Sequence, residues 1–149
     1  CQTMNEILKA NASLFELETR GPMPVAAVAR LAANILFYSR TAPLQMQAIV
    51  AGVDSTGPRM FALDPFGTVT EETCFSTGSG SPIALGVLES GFHEGTPINK
   101  ALPVVVRAIW AAMSRDIGTG DSFNVAIVDK TGYRELSREE KEKLLKDAV

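Results

Sequence analysis

At residue 45 the hydrophobic period switches from helical to strand-like, and the turns that follow are too short for anything but antiparallel pairing. Residues 45–53 begin polar and continue apolar on both faces through Ala48, Ile49, Val50 and Ala51. Asp54 to Pro58 is turn chemistry, and 59–64 reads as the return strand. Asp64-Pro65-Phe66-Gly67 puts Asp, Pro and Gly at the first, second and fourth positions of a type I turn. A third strand is expected over 68–72, which 73–76 can extend. Parallel strands need a crossover of a dozen or more residues, so this stretch predicts an antiparallel meander.

Helical patterns flank the meander. Met4, Ile7, Leu8, Ala12, Leu14, Phe15 and Leu17 recur at helical spacing. Thr3 with Glu6 resembles a capping box, and Gly21 is the expected stop. Pro24 suits the first position of a second helix, whose apolar face holds Val28, Leu31 and Ile35. After the meander, Ser81 is the expected N-cap and Pro82 the first residue of a helix reaching about Ser90. Thr96-Pro97 opens another, running to Arg115 with Leu102, Val105, Val106, Ile109, Trp110 and Met113 on a broad band. Pro103 lies inside it, and an interior proline costs about 3 kcal/mol relative to alanine, so a kink or break is expected there. Strands over 122–128 and 132–136 and a charged helix capped by Ser137 and Glu140 complete the chain. Elements in blocks predict an α+β fold, read here as a single domain over 1–149. Apolar residues on both faces of 45–53 need cover on each side, which favours a layered sandwich.

Composition excludes several functions. With net charge −3 there is no basic surface for nucleic acid or an anionic membrane. Residues 129–149 hold 12 of the 31 charged residues, six of each sign, so the tail is a solvated, neutral segment. No apolar run approaches the roughly 20 residues of a membrane span. Cys1 and Cys74 make no disulfide framework and fit a reducing compartment such as the cytoplasm. Cys74 reads as a small core residue in a strand. The single histidine, His93, cannot build a histidine-rich metal site, and no Ser-His-Asp arrangement surrounds it.

Two motifs carry candidate chemistry. Gly78-Ser79-Gly80 before a helix exposes backbone N–H groups that can hold an anion or an oxyanion. A strand-to-helix turn with a good cap is the plainer reading of those residues alone. Arg115-Asp116-Ile117-Gly118-Thr119-Gly120-Asp121 places two carboxylates and a hydroxyl in a glycine-rich corner, where they can orient proton transfer. Its plainer reading is a helix end with Gly118 or Gly120 at positive φ. Asp116 and Asp121 lack an evident third ligand for a metal, and no cofactor is expected. Cys1 carries a thiol beside an α-amino group, the pairing an N-terminal nucleophile uses. It leads straight into a helix, however, where such nucleophiles begin a strand.

Together these segments resemble the proteasome core-particle β subunits of archaeal type. The resemblance rests on Ala51-Gly52-Val53-Asp54, Leu63-Asp64-Pro65-Phe66-Gly67 and Thr77-Gly78-Ser79-Gly80-Ser81-Pro82. It continues through Ala84-Leu85-Gly86-Val87-Leu88-Glu89, Arg107-Ala108-Ile109-Trp110 and the Arg115-to-Asp121 corner. It implies the four-layer αββα sandwich of N-terminal nucleophile hydrolases. It also implies threonine-type endopeptidase activity on unfolded polypeptides inside stacked rings, a heptameric β ring meeting an α-subunit ring and a second β ring. By resemblance, Ser79 stands near the threonine amine, Asp116 orients the centre, and Thr119 takes a position usually held by serine. Gly80 is implied to line the substrate channel, and Gln2 to lie near the pocket for the residue before the cut.

Family members carry a pair of strands before the first helix, bearing the threonine, its tuning aspartate and lysine, and the oxyanion glycine. Cys1 aligns with the start of the first helix, so the first strands and the nucleophile are expected upstream of this sequence. On that alignment Thr3 is not the real N-cap. The alternative is a non-catalytic β-type subunit that only builds rings. The apolar residues of the helices are expected to make the ring contacts.

Overall fold

A computed structural model describes residues 2–41, 44 and 46–148. The order is α1 (Gln2–Thr19), α2 (Val25–Tyr38), β1 (Ala48–Asp54), β2 (Gly57–Leu63), β3 (Val69–Glu71), α3 (Ser81–Gly91), α4 (Ile98–Arg115), β4 (Ala126–Asp129), β5 (Gly132–Glu135) and α5 (Arg138–Ala148). A 3-10 turn, Ile117–Thr119, follows α4. The chain is a mixed helix-and-strand, α+β protein. It divides into two compact units, one ending at Glu72 and one starting at Thr73. Among the described residues no helix is long and apolar enough to cross a membrane.

In the first unit β1, β2 and β3 form the expected meander, with Ala48 opposite Leu63 and Phe61 opposite Glu71. Asp54 Oδ1 accepts the Thr56 N–H at 2.8 Å and closes the first turn within Ser55-Thr56. Gly57 and Pro58 therefore join β2 instead of the turn. Pro58 is tolerated because β3 pairs only from Phe61 onward, leaving that end of β2 without a second neighbour. In the second turn, Asp64 Oδ1 accepts the N–H groups of Phe66 and Thr68 at 2.8 and 2.9 Å. Gly67 has φ +86°, and a Cβ there would stand 2.5 Å from the Ala33 carbonyl oxygen. Only glycine meets both demands. Val25, Ala29, Ala32, Ala33 and Leu36 of α2 are buried with Met4, Phe61 and Leu63, and Ala48 and Val50 pack against them. Ile49 and Ala51, on the alternate face of β1, are exposed.

The second unit is organised by α4, which buries two different stripes. Val104, Ala108 and Ala112 pack on Ala84 and Leu88 of α3. Val106 packs with Val125 and Leu136, with Leu102, Phe123, Ile127, Leu144 and Leu145 around them. The expected band of larger residues is thus only partly the buried one. Val105 and Trp110 are exposed, because alanines let α3 approach on another side.

Several boundaries differ from expectation. Thr3 lies inside α1 and is no N-cap, against the capping-box pattern but as the family alignment expected. That helix ends with Arg20, not Gly21, in the left-handed conformation (φ 56°), its N–H donating to Glu16 O at 2.9 Å. Pro24 is the N-cap of α2 instead of its first residue. Residues 73–76 form no strand, and Cys74 is half-buried against the α3–α4 core. Gly80 replaces Ser81 as the N-cap of α3. Helix α4 runs unbroken through Pro103, whose missing N–H falls opposite Asn99, an exposed residue in the first turn of the helix. Water can replace the lost donor at an exposed helix turn. The strand expected over 122–128 begins only at Ala126, since β5 is four residues long. One further bond, Leu136 N–H to Val125 O at 2.9 Å, continues the pairing. The expected strand start at Gln45 and the thiol of Cys1 lie outside the described residues.

Candidate active site

The second unit brings the two candidate motifs together. The loop before α3 carries Ser79, and the end of α4 turns sharply into Ile117–Thr119. Asp116 caps α4, its N–H donating to Ala112 O at 2.8 Å, and has extended backbone (φ −113°, ψ 116°). The 3-10 turn then closes through Thr119 N–H to Asp116 O at 3.2 Å. This turn points the Thr119 side chain back at the carboxylate. Ser79 Oγ donates to Asp116 Oδ2 at 2.6 Å, and Thr119 Oγ1 donates to the same oxygen at 2.5 Å.

Asp116 is half-buried. The hydroxyls of Ser79 and Thr119 hold its carboxyl below the usual carboxylate range, and the Gly118 N–H adds to this, while partial burial works against them. The carboxylate is therefore an ionised, oriented group at neutral pH. A cavity of about 210 Å³ opens beside it, lined by residues of the 76–80 loop together with Ile109, Ala112, Gly118 and Thr119. Gly80 is buried, and a Cβ on it would collide with the Thr119 hydroxyl and stand 2.9 Å from Ala112 Cβ.

Ser79, Asp116, Thr119 and Gly80 are thus contiguous. Gln2 opens α1 in the other unit. Gly120, not Gly118, takes positive φ (78°). Asp121 lies outside the cluster and borders a larger hollow of about 800 Å³ between α4 and α5. That hollow is mainly apolar. Three of its ionic groups are engaged: Arg138 pairs with Glu142 at 2.9 Å, and Lys141 Nζ donates to Phe123 O at 3.1 Å. The smaller cavity has the converging polar groups a reaction centre needs. Sequence reasoning missed the part played by Gly118, which shows no local signal beyond being a glycine.

Comparison with known proteins adds the family. The family model described as proteasome subunit matches residues 1–128. The chain belongs to the proteasome subunit family. A protein called proteasome subunit beta 1, from Korarchaeum cryptofilum, is 43% identical over 93% of this chain and 67% of its own length. Proteasome subunit beta of Methanothermobacter thermautotrophicus is 40% identical over 98% of this chain and 70% of its own. Proteasome subunit beta 2 of Nitrosopumilus maritimus is 38% identical over 97% and 69%. All three are archaeal β subunits, as the resemblance read from the motifs implied. As a proteasome-family chain it is built for assembly into a proteasome complex.

Proposed function

We propose that the chain acts as a β subunit of a proteasome core particle and that its Asp116 cluster serves a threonine-type endopeptidase centre. The observation that carries this is the pair of hydroxyls, from two segments 37 residues apart, donating to one carboxylate oxygen beside a cavity. In this reading the nucleophile is the threonine that the family carries ahead of its first helix. Its hydroxyl attacks the peptide carbonyl and forms an acyl-enzyme, and its own amine or an adjacent water takes the proton. Asp116, fixed by Ser79 and Thr119, orients that proton transfer. Gly80 borders the channel, and Gln2 lies near the pocket for the residue before the cut.

The proposed fold is the four-layer αββα sandwich, with residues 1–149 as a single domain. Exposed Ile49 and Ala51 on β1 support it, because an apolar sheet face needs cover. The proposed assembly is a heptameric β ring against an α ring and a second β ring, taking unfolded polypeptides in the cytoplasm. Treatment of the assembled full-length particle with a threonine-directed epoxyketone tests the chemistry. Covalent labelling of the amino-terminal threonine is expected. An unlabelled, intact particle overturns the peptidase reading in favour of a ring-building subunit.

A further inference from the structure

The two segments of the cluster interlock through glycines. The missing side chain of Gly80 is the space that the Thr119 hydroxyl occupies, and the missing side chain of Gly118 is the space that the Ser79 hydroxyl occupies. A Cβ on Gly118 would stand 2.6 Å from Ser79 Oγ and 3.5 Å from Asp116 Oδ2. The first distance is far inside van der Waals contact, and the second is an ordinary contact. An added methyl therefore leaves the carboxylate in place and conflicts with the serine hydroxyl. Ser79 is exposed and Oγ is the free end of its side chain, so the low-energy response is rotation to another staggered rotamer. That rotation breaks its bond to Asp116.

We infer that Gly118 is a positioning residue, whose bare Cα holds open the site from which the Ser79 hydroxyl reaches Asp116. The Gly118 N–H also helps to hold the Asp116 carboxyl below the usual range. The hydrogen bonds of Ser79, Thr119 and Gly118 are what keep that carboxyl acidic; Arg115 and Asp121, its charged neighbours in sequence, have no part in it. Asp116 with one hydroxyl displaced keeps its charge at neutral pH but loses one of its two hydroxyl donors. The inference rests on the proposed peptidase reading only for its kinetic consequences.

The test is Gly118→Ala, Ser79→Ala and the double variant in the assembled full-length particle, read by crystallography and by kinetics. In Gly118→Ala, Ser79 Oγ is expected out of hydrogen-bonding distance of Asp116. Hydrogen bonds to charged groups are strong, so kcat should fall by roughly 10–100-fold. KM should stay within about twofold, since a change confined to the reacting centre acts on kcat. The acid limb of the kcat profile should move to higher pH, as it should in Ser79→Ala. In the double variant the two added losses should collapse to that of Ser79→Ala alone, because the residue-79 Cβ is 3.5 Å from the new methyl and nothing is left to displace. Should Gly118→Ala fail to assemble, the double variant should restore assembly. A Ser79 hydroxyl still on Asp116 in Gly118→Ala, losses that multiply in the double variant, or a double variant that also fails to assemble overturns the inference. A displaced hydroxyl in a particle whose wild type neither cleaves peptides nor takes the epoxyketone upholds the interlock and rejects the peptidase reading.

Discussion

The backbone N–H of Val25 donates to Asp54 Oδ2 at 3.0 Å, so a turn of the sheet caps a helix 29 residues earlier in the chain. Pro24 has no side-chain donor or acceptor to cap α2. Asp54 supplies the missing partner and places negative charge at the helix N-terminus. The bonds from Thr56, then that from Val25, hold its carboxyl below the usual range. Its folded pKa is thus below its unfolded one, so its contribution is full above the unfolded value, about 3.9, and is lost as pH falls through the folded value. Asp54→Ala is expected to lower the urea midpoint at pH 7. The gap from wild type should narrow on acidification through that window. A gap that stays constant from pH 7 to pH 2 would show that the charge of Asp54 is irrelevant.

Arg20 ends α1 in the conformation that glycine adopts without cost. The bond from its N–H to Glu16 O is the single bond of a left-handed helix terminus. A side chain held there costs roughly 1–2 kcal/mol, offset partly by the greater unfolded-state freedom of glycine. Arg20→Gly should therefore stabilise the protein by about 0.5–1 kcal/mol, read as a raised denaturant midpoint with unchanged slope.

These two cases show where sequence reading fails. Asp64-Pro65-Phe66-Gly67 and the Ser137–Glu140 box were legible because every partner lies within four residues. The box forms reciprocally, with Ser137 N–H to Glu140 Oε2 at 2.8 Å and Glu140 N–H to Ser137 Oγ at 3.2 Å. The stop of α1 was misplaced by one residue because a glycine beside the helix end outweighs an arginine in any local rule. The stripe α4 buries was misjudged because size suggested Trp110 and Met113, while close approach of α3 selected Ala108 and Ala112. At the site, Ser79 and Asp116 each looked structural alone. Nothing local couples residues 37 apart, and only the family resemblance joined them before the fold did.

Leu36 and Leu17 separate stability from assembly. Leu36 is fully buried between α2 and the sheet, whereas Leu17 on α1 is 80% exposed. Leu36→Ala should cost about 3–5 kcal/mol, the transfer and cavity terms together. Leu17→Asp should change folding stability by under about 0.5 kcal/mol. If exposed helix residues make ring contacts as proposed, that variant should sediment as smaller species with unchanged circular dichroism. Normal particles from Leu17→Asp would remove α1 from the contact surface.

Asp116→Asn tests the centre itself, since it preserves shape and removes charge. The amide oxygen can still accept from Ser79 and Thr119, so the fold around the cavity should persist. An oriented acid–base group contributes roughly 10²–10⁴-fold, and kcat of the assembled particle should fall by about 10²-fold or more with little change in KM. In the wild type the depressed pKa of Asp116 keeps it ionised into acid, so its own titration enters the profile only below the usual carboxylate value. Ser79→Ala removes the first of the two hydroxyl donors and should bring that limb up toward the ordinary value. A pH profile unchanged by Ser79→Ala, with kcat intact in Asp116→Asn, would separate this carboxylate from the chemistry altogether.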